Sequence, residues 1–154
     1  MARHLPTYVG LAHRGEEILA NSLRQVAAGH PEDPDIALAC TSLARLHDSD
    51  VERLAPIAQR YGEEKVDEPE RLHAEALTSI REGGVGLLRD MQDLYLLAAL
   101  LQTTWTVLEQ AAQGARDDEL LDVTKDCATQ VKRTMTWLTT HLKLASPQIL
   151  LAGP

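Results

Sequence analysis

The chain has 154 residues, a formal net charge of -8, 44% hydrophobic and 25% charged residues, and only 3% aromatic residues with no Phe. That length fits one domain with a buried core, and the acidic balance, without any run of Lys and Arg, argues against a nucleic-acid surface. No apolar run reaches the 18 residues a membrane span needs, and the start, MARHLPTYVG, lacks the apolar stretch of a signal peptide, so the expected compartment is the cytoplasm.

A core without Phe must come from Leu, Ala, Val and Ile, which favours helices over sheets. The first helix is expected over 6–28, with Pro6 in its first turn and Gly29 at its end. Its apolar stripe runs Tyr8, Ala12, Gly15, Leu19, Ser22 and Val26. The turn HPEDPD (30–35) offers Asp33 or Asp35 as a cap for a second helix over 34–61, stopped by Gly62. Pro56 lies inside it and should kink it or end it early. Its stripe reads Ile36, Cys40, Leu43, His47, Asp50, Leu54, Ile57 and Tyr61.

Residues 63–84 are polar, contain Pro69 and close on Gly83-Gly84. They read as a crossover with one short helix over about 69–81. A third helix follows over 85–113, before Gly114, with an unbroken seam of Leu87, Met91, Leu94, Ala98, Leu101, Trp105, Leu108 and Ala112. After the acidic turn ARDD, the fourth helix covers 118–144 with Leu120, Thr124, Cys127, Val131, Thr134, Leu138, His141 and Ala145 on its seam. Pro147 should end it and leave 145–154 as an apolar tail, packed back on the bundle or offered to a partner. Cys40 and Cys127 read as buried thiols, not a disulfide.

The short turns make two antiparallel hairpins. A 28-residue helix is roughly 42 Å long, and a 22-residue connection reaches roughly 70 Å when extended, enough to cross the bundle. LRQVAAG (23–29) and LEQAAQG (108–114) match at four of seven positions, as duplicated hairpins would. Over nearly its whole length the chain resembles the ferritin-like superfamily: an all-α, four-helix bundle of two hairpins joined by a long crossover.

That resemblance implies a di-metal site built from one Glu on each of two helices and a Glu-x-x-His on each of the other two. The chain departs from this pattern. Its single Glu-x-x-His, Glu70 to His73, falls in the crossover. Glu16 lies roughly 90° from the apolar centre of the first helix, Glu17 points away, and Asp122 and Asp126 fall on the polar side of the fourth. What remains is His47-x-x-Asp50, within about 40° of the apolar centre of the second helix, with Asp90 and Glu109 flanking the third seam. These four are the candidate metal ligands. The plainer alternatives are a polar pair bonded to each other, Asp50 bonded to Arg53, or a Pro56 kink that turns Leu46 and Val51 inward. His141 is explained by the end of its helix, and the threonines of the fourth helix by bonds back to the preceding turn.

No phosphate loop, dinucleotide glycine fingerprint, Gly-x-Ser-x-Gly or haem attachment motif is present in the sequence. Leu96 and Leu100 point away from the third seam and call for a cover, from the crossover or from a second copy of the chain; a homodimer through this face is the expectation. The reading therefore favours a non-catalytic bundle that forms a homodimer or binds a protein partner, with no cofactor expected. The alternative is a degenerate di-metal carboxylate site holding iron, manganese or zinc, or a small ligand, with redox chemistry open to it.

Overall fold

The computed structural model describes residues 4–62, 77 and 79–153. It contains four helices and, among the described residues, no strand: α1 (Leu5–Gly29), α2 (Pro34–Tyr61), α3 (Gly83–Ala115) and α4 (Asp118–Leu151). Most of the proposed crossover helix at 69–81 lies outside the described residues; 79–82 is not helical. No described helix is long and apolar enough to cross a membrane.

Each helix follows its apolar stripe. The whole expected α3 seam, Leu87 to Ala112, is buried, as are Ile36 to Ile57 on α2 and Leu120 to Leu138 on α4. These stripes meet in one core made mainly of Leu, Ala, Val and Ile around Trp105. α1 packs on α2 and α3, and α4 packs on α3 and α2. α1 and α4 therefore lie diagonally across the core, as do α2 and α3. Tyr61 and Arg60, at the end of α2, both hydrogen-bond Asp117 in the α3–α4 turn. At the other end, Arg81, just before α3, holds Asp90, which also bonds His30 in the α1–α2 turn.

Two helices run past their expected stops, and a third passes an internal proline to its expected end. α3 runs past Gly114 to Ala115 because Arg116, at φ 54°, takes the left-handed capping position in place of the glycine. Pro56 does not end α2, which continues to Tyr61. Pro147 does not end α4 either, so the expected tail is helical to Leu151. Both prolines remove an N–H that would have bonded the carbonyl four residues back. Those carbonyls belong to Glu52 and Lys143, both on the exposed side, where water can satisfy them. The added turns of α4 are held by Ile149, which packs so closely on Gly84 that a Cβ there would lie 2.9 Å from it.

A second glycine contact anchors the end of the long connection. Ile80 sits directly over Gly29, in the space a side chain would occupy. Gly29→Ala should push Ile80 off α1 and cost about 1–3 kcal/mol, as overpacking does. The measurement is a lower urea midpoint with an unchanged slope.

Candidate functional site

Midway along the bundle, all four helices place a polar side chain in the core. α1 contributes Glu16, α2 His47 and Asp50, α3 Trp105, and α4 Cys127 and Thr134, and all six are buried. Glu16 was expected at the edge of its helix, and the structure corrects this: it is fully buried. The reason lies in the width of the buried face of α1, which takes in Val9, Glu16, Ala20 and Leu23 as well as Ala12, Leu19 and Val26. Tyr8, expected on the stripe, is only half-buried. Gly15 lets α3 come close, since a Cβ there would stand 2.9 Å from Leu101.

Glu16 is held at both oxygens. The Trp105 indole N–H donates to its Oε1 at 2.9 Å, and His47 Nδ1 lies 2.6 Å from its Oε2. An indole nitrogen can only donate, and a carboxylate can only accept. His47 therefore carries its proton on Nδ1. Its Nε2, 2.8 Å from Thr134 Oγ1, takes the threonine hydroxyl proton in the neutral ring. Three threonines of α4 behave as expected: Thr129, Thr139 and Thr140 bond back to carbonyls four residues earlier. Thr134 is turned inward to His47, and the buried Thr124 hydroxyl has no hydrogen-bond partner among the described residues.

Asp50 is the odd group. It is 3% exposed, and its Oδ2 has no hydrogen-bond partner among the described residues, lying 3.8 Å from His47 Nδ1. Burial pushes its carboxyl up to about 7, and the negative Glu16 pushes the same way; His47, the Cys127 thiol and Arg53 pull it back. Arg53 does not pair with it: its guanidinium bonds Asp126 on the surface at 2.7 Å. The Cys127 thiol is driven above its ordinary range by burial first, then by the charges of Asp50 and Glu16. One ligand atom each from Glu16, Asp50 and Cys127 falls within 4.8 Å of the others. Two carboxylates and a thiol are thus buried together where, among the described residues, no Lys or Arg side chain bonds them.

Of the four candidate ligands read from the sequence, His47 and Asp50 meet here. Asp90 is buried in a different cluster: its Oδ2 lies 2.7 Å from His30 Nε2, its Oδ1 accepts from Arg81 at 2.8 Å, and the Arg81 backbone N–H also reaches it. Fifteen residues before Trp105, it stands roughly 22 Å away along α3. Its work is to tie the start of α3 to the α1–α2 turn. Glu109 is half-buried one turn beyond Trp105 and is not in the cluster. The Glu70–His73 pair lies outside the described residues. His141 is not at a helix end, since α4 runs ten residues further. It stacks on Trp137, 4.3 Å between ring centres, and burial lowers its pKa.

Glu16, Trp105 and Cys127 were missing from the expected site. One signal was readable. A tryptophan on a core seam must find an acceptor for its N–H, and Glu16 was the acid of α1 closest to that core. The other core cysteine, Cys40, is buried and free, its thiol pushed up to about 12 by burial alone.

No family model, no curated protein and no solved structure matches this chain.

Proposed function

We propose that the chain is a ferritin-like bundle that binds a divalent transition-metal ion in its core, through Glu16, Asp50 and Cys127. The ferritin-like reading is supported by the two ends of the long connection. The described chain ends at α2 beside Asp117 in the α3–α4 turn and resumes before α3 beside His30 in the α1–α2 turn, so these two points lie at opposite ends of the bundle, as a crossover requires. The metal reading rests on one observation: a buried Asp50 carboxylate with an oxygen that has no partner among the described residues, against a second carboxylate and a thiol, with no described Lys or Arg bonded to either acid. Buried charge is tolerated when it is paired or ligates a metal. A divalent ion supplies the missing positive charge. The protein is read as a binder, not a catalyst.

Zinc added to chelator-stripped protein should bind in stoichiometric amount and raise the melting temperature. Asp50→Asn should lose both responses. A native chain indifferent to zinc, cobalt, manganese and iron(II) refutes the reading.

A homodimer is the second reading, and one face favours it. Leu96 is 67% exposed and Leu100 39%, one turn apart on α3. Beside them runs a groove of about 420 Å³ lined by Tyr95, Leu96 and Leu142 among others. A second copy would cover this face. Sedimentation should show dimer at micromolar concentration, and Leu96→Lys with Leu100→Lys should leave monomer. Native protein that sediments as monomer rejects the dimer.

A further inference from the structure

We infer that the core site takes one thiophilic ion of the zinc class, not a pair of hard metals, with Cys127 as the deciding ligand and His47 as a positioning residue. This rests on the metal-binding reading above and adds which ion, how many, and through which atoms.

A di-metal carboxylate site does not fit the residues present. It needs a carboxylate from each of the four helices and two ligating histidines. Here the α3 position is Trp105, whose indole N–H is spent on Glu16 and cannot ligate. The α4 positions are Cys127 and Thr134. His47 has both ring nitrogens engaged, one by Glu16 and one by Thr134. Two ions would have to share three protein donors, too few for two centres that each want three or four.

The donors also choose the ion. Magnesium and calcium want six or more oxygen ligands. Glu16, Asp50 and Cys127 offer two carboxylates and a sulfur, three protein donors of the kinds zinc takes. A thiolate among them shifts preference away from magnesium and manganese toward zinc and cobalt. On binding, the Cys127 thiol gives its proton to solvent and its sulfur to the metal.

His47 then acts through Glu16. Its Nδ1–H and the Trp105 N–H each occupy one lone pair of the carboxylate, which fixes the plane of Glu16 and leaves lone pairs free for the metal. Thr134 fixes the ring from behind. This is the outer partner that orients a ligand without touching the ion.

Cobalt(II) is the probe. Bound to the stripped chain at one ion per chain, it should show a sulfur-to-cobalt charge-transfer band in the near ultraviolet, and zinc should displace it where manganese does not. Cys127→Ser should lose the band. Its affinity should fall by at least about 100-fold, beyond the 10- to 100-fold typical of an outer partner. Cys40→Ser should leave both unchanged. His47→Gln should keep the band and the stoichiometry while binding about 10- to 100-fold more weakly. Cobalt bound without a sulfur band, two ions per chain, or manganese bound as tightly as zinc overturns this inference and leaves the metal reading standing. No binding of any of these ions overturns both. The band, the count and the competition are read on the native chain, so the test survives a Cys127→Ser protein that fails to fold.

Discussion

Asp50→Asn should make the metal-free protein more stable at pH 8 while destroying its metal site. The Asp50 carboxyl is raised from 3.8 to about 7, chiefly by burial. A raised acid binds its proton more tightly in the folded chain than in the unfolded one. Its favourable contribution is complete below the unfolded pKa and is lost as pH climbs through the folded pKa. The metal-free chain should therefore weaken steadily between about pH 4 and pH 7 and level off above, by up to about 4 kcal/mol for a shift of this size. Asparagine has the same shape and no charge to desolvate, so the variant should lose this fall and keep only the rise that the lowered His141 pKa gives below 6.5. Urea midpoints at pH 5 and pH 8 measure it. Zinc should reverse the native trend, because an ion that binds only the folded chain adds stability as its ligands lose their protons. A group that harms the free fold and serves the bound one is the mark of a site kept for a ligand. A native chain equally stable at pH 5 and pH 8 would remove this argument.

The helical layout was legible because the stripes are long. Leu87 to Ala112 alternates steps of four and three without a break, and only a helix buries such a pattern. The ends were less legible, since they depend on where water can reach. Pro147 reads as a stop from its missing N–H alone, and only the exposed position of Lys143 shows why α4 continues. Gly114 looks like the capping glycine, yet the left-handed residue is Arg116. The site was half legible for the same reason. His47 and Asp50 stood out because both interrupt one stripe. Glu16 did not, because its burial depends on the close approach that Gly15 permits between α1 and α3. Cys127 counted only as an apolar core residue until Asp50 was placed beside it. Asp90 shows the converse. Its burial was foreshadowed by its place near the seam, but its partners, His30 and Arg81, come from turns that periodicity does not describe.

The Glu16–His47 pair should carry the largest single-residue effect in the core. His47→Leu removes the N–H that faces Glu16 Oε2 at 2.6 Å and leaves a fully buried carboxylate with Trp105 as its one remaining side-chain donor among the described residues. Removing a donor from a buried carboxylate costs about 1–3 kcal/mol or more, because the charged group stays desolvated and short of a hydrogen bond. The loss should be largely recovered by adding Glu16→Gln. The amide carries no charge, and its oxygen still accepts the Trp105 N–H. Thr134, freed from His47, can bond back to the carbonyl of Gln130 as its neighbours on α4 do to theirs. A double-mutant cycle separates the two explanations of the cost. If the penalty is the unpaired charge, the double variant regains at least half of it. If it is lost packing around the imidazole, the two substitutions simply add. In either background Trp105 fluorescence should respond, since its indole N–H bonds the same carboxylate. That gives a local reading of Glu16 beside the global one from urea.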